Sequence, residues 1–229
     1  GAVAQAAPEK SNGCAYGTIN ALSLAGHRKT GQRWVMFSFF GGGHGGHPEG
    51  DGLNHGNAPI STATIPPAEI LEAAYPIFFR TWALRTDSGG PGQNRGGLGA
   101  VYEIELLEDN ADVFLFGERG KYAPQGVTGG EAGAMNRFQF EQIDGMHEPP
   151  MKSKMIGIQI ERGQYLRLET PGGGGYGPAR CRNPNAVVED VRLGYVSMTS
   201  AATDYFVAID ERGGIDEKAT LALREEVDE

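Results

Sequence analysis

Phe39-Phe40-Gly41-Gly42-Gly43-His44-Gly45-Gly46-His47-Pro48-Glu49-Gly50-Asp51-Gly52-Leu53-Asn54-His55-Gly56 is the stretch on which the reading of this chain turns. It follows an apolar run, Arg33 to Phe40, whose Trp34, Val35, Met36, Phe37, Phe39 and Phe40 suit a pleated surface and predict a strand. Three of the five histidines fall within it. Glycine at this density loses much chain entropy on folding, so it is kept where backbone turns left-handed or another group comes close. The stretch is therefore a shaped loop. Two more glycine-rich connections follow. One runs from Asp87-Ser88-Gly89-Gly90-Pro91-Gly92 to Arg95-Gly96-Gly97-Leu98-Gly99, and the other is Thr170-Pro171-Gly172-Gly173-Gly174-Gly175-Tyr176-Gly177-Pro178.

Around these loops the pattern is β-rich. Strands are predicted over 18–24, 77–85, 99–107, 113–117, 136–142, 155–161 and 165–169, several of them alternating apolar and polar residues. Glu161-Arg162-Gly163-Gln164 reads as a hairpin turn between the last two. Pro66-Pro67 sets up a short helix, Ala68 to Tyr75, with Ile70, Leu71 and Ala74 on one face and Pro76 as its stop. Beyond Pro178 the pattern becomes helical: one helix from Asn183-Pro184 to about Leu193, a second from Thr199 or Ser200 to Tyr205, and a third from Asp216 to Val227. A short strand, Phe206 to Ile209, is expected between the last two. The fold class is α+β, mainly antiparallel β as a sandwich or barrel, with a short helix after the first loop and a helical tail. The expected division is a β-rich region, 1–178, and the tail, 179–229.

The 229 residues allow one large domain or two small ones, and 39% hydrophobic content with 36 glycines reads as globular and loop-rich. A net charge of -9 argues against a nucleic-acid or anionic-membrane surface. No apolar run is long enough to span a bilayer and no leader is visible, so the expectation is a cytoplasmic protein. Cys14 and Cys181 are isolated, which indicates neither a zinc ribbon nor a disulfide scaffold; inert thiols are the plain reading, with Cys14 as a nucleophile the alternative. Gly1 at the start suggests a chain cut from something longer, and it excludes the chemistry of an amino-terminal Ser, Thr or Cys nucleophile.

Gly-x-Gly-x-x-Gly occurs twice, at Gly41, Gly43, Gly46 and at Gly172, Gly174, Gly177. Neither opens a helix, so the main anion-binding element of a dinucleotide site is missing. There is no Walker lysine motif, nucleophile elbow or His-Glu-x-x-His helix. His44, His47, Asp51 and His55 are the candidate site residues. Imidazole and carboxylate suit zinc or manganese, but ligands on so glycine-rich a loop lack rigid support, and lining a cleft is the competing reading. No metal is assigned to them. Arg180 and Arg182 are placed to hold a phosphate or carboxylate, or else lie solvated. The acidic run Glu225-Glu226-Val227-Asp228-Glu229 opposes the helix dipole and reads as a solvated, fraying end.

In order, four blocks carry a resemblance: Gly-Gly-Gly-x-Gly-Gly with Asp51-Gly52-Leu53; Pro67-Ala68-Glu69-Ile70-Leu71-Glu72 with Tyr75-Pro76; Trp82-Ala83-Leu84-Arg85 through Gly99; and Leu168 through Gly177. Together they resemble the carboxyl-terminal half of the hydantoinase B/oxoprolinase family. Asp190, Gly194 and Val196 continue the likeness into the tail. The resemblance implies one subunit, or a fragment of one, of a heteromeric ATP-dependent enzyme. Such enzymes open cyclic amides, as N-methylhydantoinases, oxoprolinases and lactamases do, or carboxylate ketones, as acetone and acetophenone carboxylases do.

It further implies a hydantoinase A-like ATPase subunit carrying ATP and Mg, and another chain carrying the amino-terminal half of hydantoinase B with a divalent metal, Mn or Zn. This chain would add glycine-rich loops to a shared site for a small molecule. The alternative is a non-catalytic assembly subunit whose loops let partner backbones pack close. The loop histidines are not part of the family pattern, and the usual Thr-Asn-Thr-like segment is replaced by Ser61-Thr62-Ala63-Thr64-Ile65. Those two features incline the expectation towards carboxylation.

Overall fold

The computed structural model describes residues 4, 6–57 and 66–225. The segment Ile60 to Ile65, the acidic residues after Glu225 and the expected helix end at Val227 lie outside the described residues.

Two antiparallel sheets face each other. The first has the order β2-β1-β5-β8, from β1 (Asn20–His27), β2 (Arg33–Phe40), β5 (Asn110–Phe116) and β8 (Met155–Glu161). The second has the order β3-β4-β9-β6-β7, from β3 (Ile77–Leu84), β4 (Ala100–Leu106), β6 (Arg137–Gln142), β7 (Gly145–His147) and β9 (Tyr165–Glu169). Alternation decides which residues meet between them. Trp34, Met36 and Phe40 of β2, Leu22 and Leu24 of β1, and Val113 and Leu115 of β5 face inward, against Ile77, Tyr102, Ile104, Phe138 and Leu168 of the second sheet. The result is an open sandwich and not a barrel, which settles the alternative left by the sequence.

Helix α1 (Ala68–Ala74) buries Leu71 at the sandwich edge, but Ile70, expected on the same face, is exposed. A seven-residue helix has room for one buried stripe, and Leu71 occupies it. The expected hairpin at 161–164 is a corner. Gln164 N–H does bond Glu161 O at 3.0 Å, yet β8 pairs with β5 and β9 pairs with β4 and β6, so the chain crosses between sheets here. Strand β1 starts and ends later than 18–24 because it pairs along its whole length with β2, from Asn20 opposite Phe40 to His27 opposite Arg33. The short β7 was not expected.

Pro178 leads through a 3-10 turn, Ala179–Cys181, into α2 (Pro184–Arg192), α3 (Met198–Thr203) and α4 (Glu217–Glu225). Asn183 caps α2 by accepting from Asn185 N–H at 2.9 Å. Helix α3 begins before Thr199 because Ser197 is its cap, accepting from Ser200 N–H at 3.1 Å. No strand forms at 206–209: Phe206 is left-handed, at φ 57°, and Ile209 makes a single bridge to Ile215. The tail has its own apolar cluster, with Val187, Val196, Ala201, Tyr205 and Val207 at its centre. Among the described residues no helix is long and apolar enough to cross a membrane.

Candidate functional site

The three glycine-rich stretches lie together at the end of the sandwich where β2 finishes, and they bond to one another through the backbone. Gly43 N–H donates to Pro171 O at 2.9 Å, Gly46 N–H to Gly174 O at 2.8 Å, Gly97 N–H to His44 O at 2.7 Å and Gly173 N–H to Gly97 O at 2.9 Å. Gly13 and Tyr16 join the layer through Gly46 O and Gly43 O. A strand in a sheet has two neighbours, whereas residues 41–46 bond to four segments: 13–16, 53–56, 97 and 171–174. Such a bundle needs backbones closer than a β-carbon permits. A Cβ on Gly43 would lie 2.5 Å from Gly173 N, with Gly97 O nearer still.

Stretches that read as loops awaiting a neighbour therefore form a dense internal layer. Many of their amides are spent on carbonyls of the same chain, including Gly174 N–H on Cys14 O and Gly175 N–H on Glu131 O.

The four candidate residues sit on or under this layer and are not gathered. His44 is half-buried, its Nε2 3.1 Å from Asn57 O, with its ring edge-on to Tyr16 at 5.8 Å between centroids. His55, left-handed at φ 45°, hydrogen-bonds the Tyr102 hydroxyl at the top of the core. Burial pushes its imidazole below the ordinary value of 6.5, against a smaller opposing effect of the Gly41 backbone, and burial also drives the Tyr102 phenol well up. His47 is half-buried beside Gly50, and its ring has no hydrogen-bond partner among the described residues. Among the described residues no group of three or more His, Cys, Asp or Glu could hold a metal ion.

Asp51 belongs to an ion cluster that the sequence reading missed. Arg182 grips it with both terminal nitrogens, each at 2.7 Å, and Arg95 N–H donates to it at 2.6 Å. Arg182 also reaches Asp190 of α2 at 2.7 Å, and Arg95 meets the same carboxylate at 3.3 Å. Burial raises the Asp51 carboxyl, but the Arg182 bond and charge, with Arg95, bring it below its ordinary value; the same pairing raises Arg182. Arg182 and Asp190 are almost wholly buried, their side chains 5% and 7% exposed. So Arg182, expected to hold a free anion or lie solvated, ties the tail to the first glycine stretch. Asp87 adds a second tie by accepting from Ser197 N–H at 2.7 Å. A lone Arg95 among glycines was the available signal. A cavity of about 330 Å³ beside this cluster is lined by Gly50, Asp51, Asn94, Cys181 and Arg182. Cys14 is half-buried and Cys181 exposed, both as free thiols.

A family model described as hydantoinase B/oxoprolinase matches residues 1–179. The caprolactamase subunit beta of Pseudomonas jessenii is 33% identical over 97% of this chain and 40% of its own length. The crystal structure of the ATP-dependent caprolactamase from Pseudomonas jessenii superposes with a TM-score of 0.82 at 30% identity, covering 98% of this chain and 40% of that one. A nucleotide-free acetone carboxylase superposes at a TM-score of 0.79 with 24% identity, over 96% of this chain and 34% of that one, a likeness of fold. The chain spans about two fifths of the length of curated relatives that it matches over nearly its whole length.

Proposed function

The chain belongs to the hydantoinase B/oxoprolinase family, and from that premise we propose that it is one part of a heteromeric ATP-dependent enzyme that opens a cyclic amide. One observation carries the choice of reaction: identity of 33% to a caprolactamase subunit runs along nearly the whole chain, whereas the likeness to acetone carboxylase is one of fold. The inclination towards ketone carboxylation is set aside on that ground. An amide is a poor electrophile because nitrogen donates into its carbonyl; phosphorylating the oxygen removes that stabilisation before water attacks. The net change is lactam, ATP and two waters to amino acid, ADP and phosphate.

ATP and Mg belong in this reading to a hydantoinase A-like subunit, a choice supported by the bonding of many of the glycine amides here to carbonyls of the same chain. The divalent metal belongs in this reading to family sequence outside the stretch that this chain matches. This chain provides the rigid glycine layer and, from it, the His47 ring and the small polar cavity at Asp51 on the rim of the shared site. A second reading, a framework without catalytic groups, is favoured by the engagement of His44, Asp51 and His55 in packing. His47→Ala in the purified native assembly separates the two. Turnover of lactam falling tenfold or more with the assembly intact supports a role at the site, and unchanged turnover supports the framework. ADP release with acetone and bicarbonate, and none with a lactam, refutes ring opening.

A further inference from the structure

The two outer faces of the sandwich differ in kind. That of the second sheet is a charge ladder with one exposed ring, Phe78, in it: Arg80 with Glu105 at 2.7 Å, Arg167 with Glu103 and Glu169, and Arg85 with Glu169 at 3.1 Å. That of the first sheet is aromatic. Register places Phe39 and Phe116 on either side of Ala21, and Phe37 and Phe114 on either side of Ser23. Two pairs of phenylalanines thus wall a groove floored by small side chains, and the four rings are 41%, 53%, 58% and 40% exposed in that order. At about 150–250 Å² per side chain they present on the order of 400 Å² of apolar surface, already large for a monomer. Val35 and Ile156 extend it.

Towards the glycine layer the face runs into a cavity of about 850 Å³, lined by Glu118, Arg119, Lys121, Tyr122, Lys152 and Lys154 among others. Lys154 lies 5.0 Å over the Phe116 ring. Three of the six lysines of a chain with net charge -9 are gathered at this one edge.

We infer that this aromatic face with its basic edge is the docking surface for the family sequence outside the stretch that this chain matches, the other three fifths of the relatives' length. The inference rests on the reading that the chain works inside a larger assembly. The stretch that this chain matches is 40% of the caprolactamase subunit beta, so the relatives carry further family sequence of a length able to cover such a face. The occupant presents an apolar ridge to the groove and carboxylates to the lysines. A second copy of this chain fits less well, because the cavity lining sets four cations, Arg119, Lys121, Lys152 and Lys154, against one carboxylate, Glu118.

The test places a photo-reactive benzoylphenylalanine at Phe37 or Phe114, and for comparison at Arg80, in the protein purified from its native host. The expected adducts from Phe37 and Phe114 are peptides that align with the part of the Pseudomonas jessenii caprolactamase subunit beta which this chain does not match, at least tenfold over those from Arg80. Adducts to residues of another copy, to the ATPase subunit, or to nothing overturn the inference. Phe37→Lys with Phe114→Lys should leave the denaturation midpoint of the chain unchanged and cut co-purification at least tenfold; unchanged co-purification also overturns it. Lactam-dependent ADP release in the same preparation separates the two claims. Release with adducts elsewhere refutes the surface alone, and the expected adducts without release refute ring opening alone.

Discussion

Gly43→Ala puts the packing of the glycine layer to a quantitative test. The added methyl would sit 2.5 Å from Gly173 N, where β-carbons essentially never come within 3.0 Å, so the gap must open by at least about 0.5 Å, and by more at Gly97 O. The obstacle is backbone on two sides, which cannot rotate away as a side chain can. Three hydrogen bonds brace that gap: Gly43 N–H to Pro171 O, Gly97 N–H to His44 O and Gly173 N–H to Gly97 O. Two or three buried groups left unpaired at about 1–3 kcal/mol each give a loss of about 2–9 kcal/mol. That is a large part of the stability of an ordinary domain. Gly50→Ala in the same stretch is the control, because its methyl would meet His47 Cε1 at 3.6 Å, an ordinary contact, and should change stability by less than about 0.5 kcal/mol. Urea denaturation of both variants reads the difference. If Gly43→Ala unfolds within about 1 kcal/mol of the parent chain, the layer is not packed as described.

Three further outcomes follow from the ion cluster and the buried histidine. Arg182→Ala leaves Asp190 buried without its 2.7 Å partner and should cost about 3–5 kcal/mol by denaturant titration, with the tail becoming the first segment cut by protease. The folded pKa of Asp51 lies below its unfolded value near 3.8, so its contribution is present above that pH and is lost as pH falls below it. Arg182→Ala should therefore also flatten the stability profile in that acid range. The folded pKa of His55 lies below 6.5 because burial disfavours the cation, so stability falls as pH drops below 6.5 and the unfolded chain takes up the proton. His55→Asn, which tolerates the left-handed backbone, should flatten the profile just below pH 6.5, measured by thermal denaturation across pH.

Strand positions were legible because alternation is local: β8 and β9 fall at 155–161 and 165–169 as read. Their partnership was not, since Glu161-Arg162-Gly163-Gln164 has the chemistry of any tight turn, and nothing local says that the chain passes from one sheet to the other there. The glycine density announced a close approach, but backbone-to-backbone bonding leaves no mark in side-chain identity, so which segments approach was invisible. Asp51 and Arg182 were each noticed, 131 positions apart, and only the fold shows that they neutralise one another. The histidines drew attention as a cluster in sequence. The fold then sends His44 to Asn57, the left-handed His55 down to Tyr102 and His47 to a half-buried place beside Gly50.

Hydrogen exchange of the amides of Gly43, Gly46, Gly97, Gly173 and Gly174 in the purified chain, with no other polypeptide present, tests the central claim most directly. Each donates to a carbonyl of the same chain at 2.7–2.9 Å, so all five should exchange as slowly as the amides of β1 and β5. Exchange at the rate of unprotected loops would show that these stretches are linkers waiting for a partner, and the account of a self-contained glycine framework would be wrong.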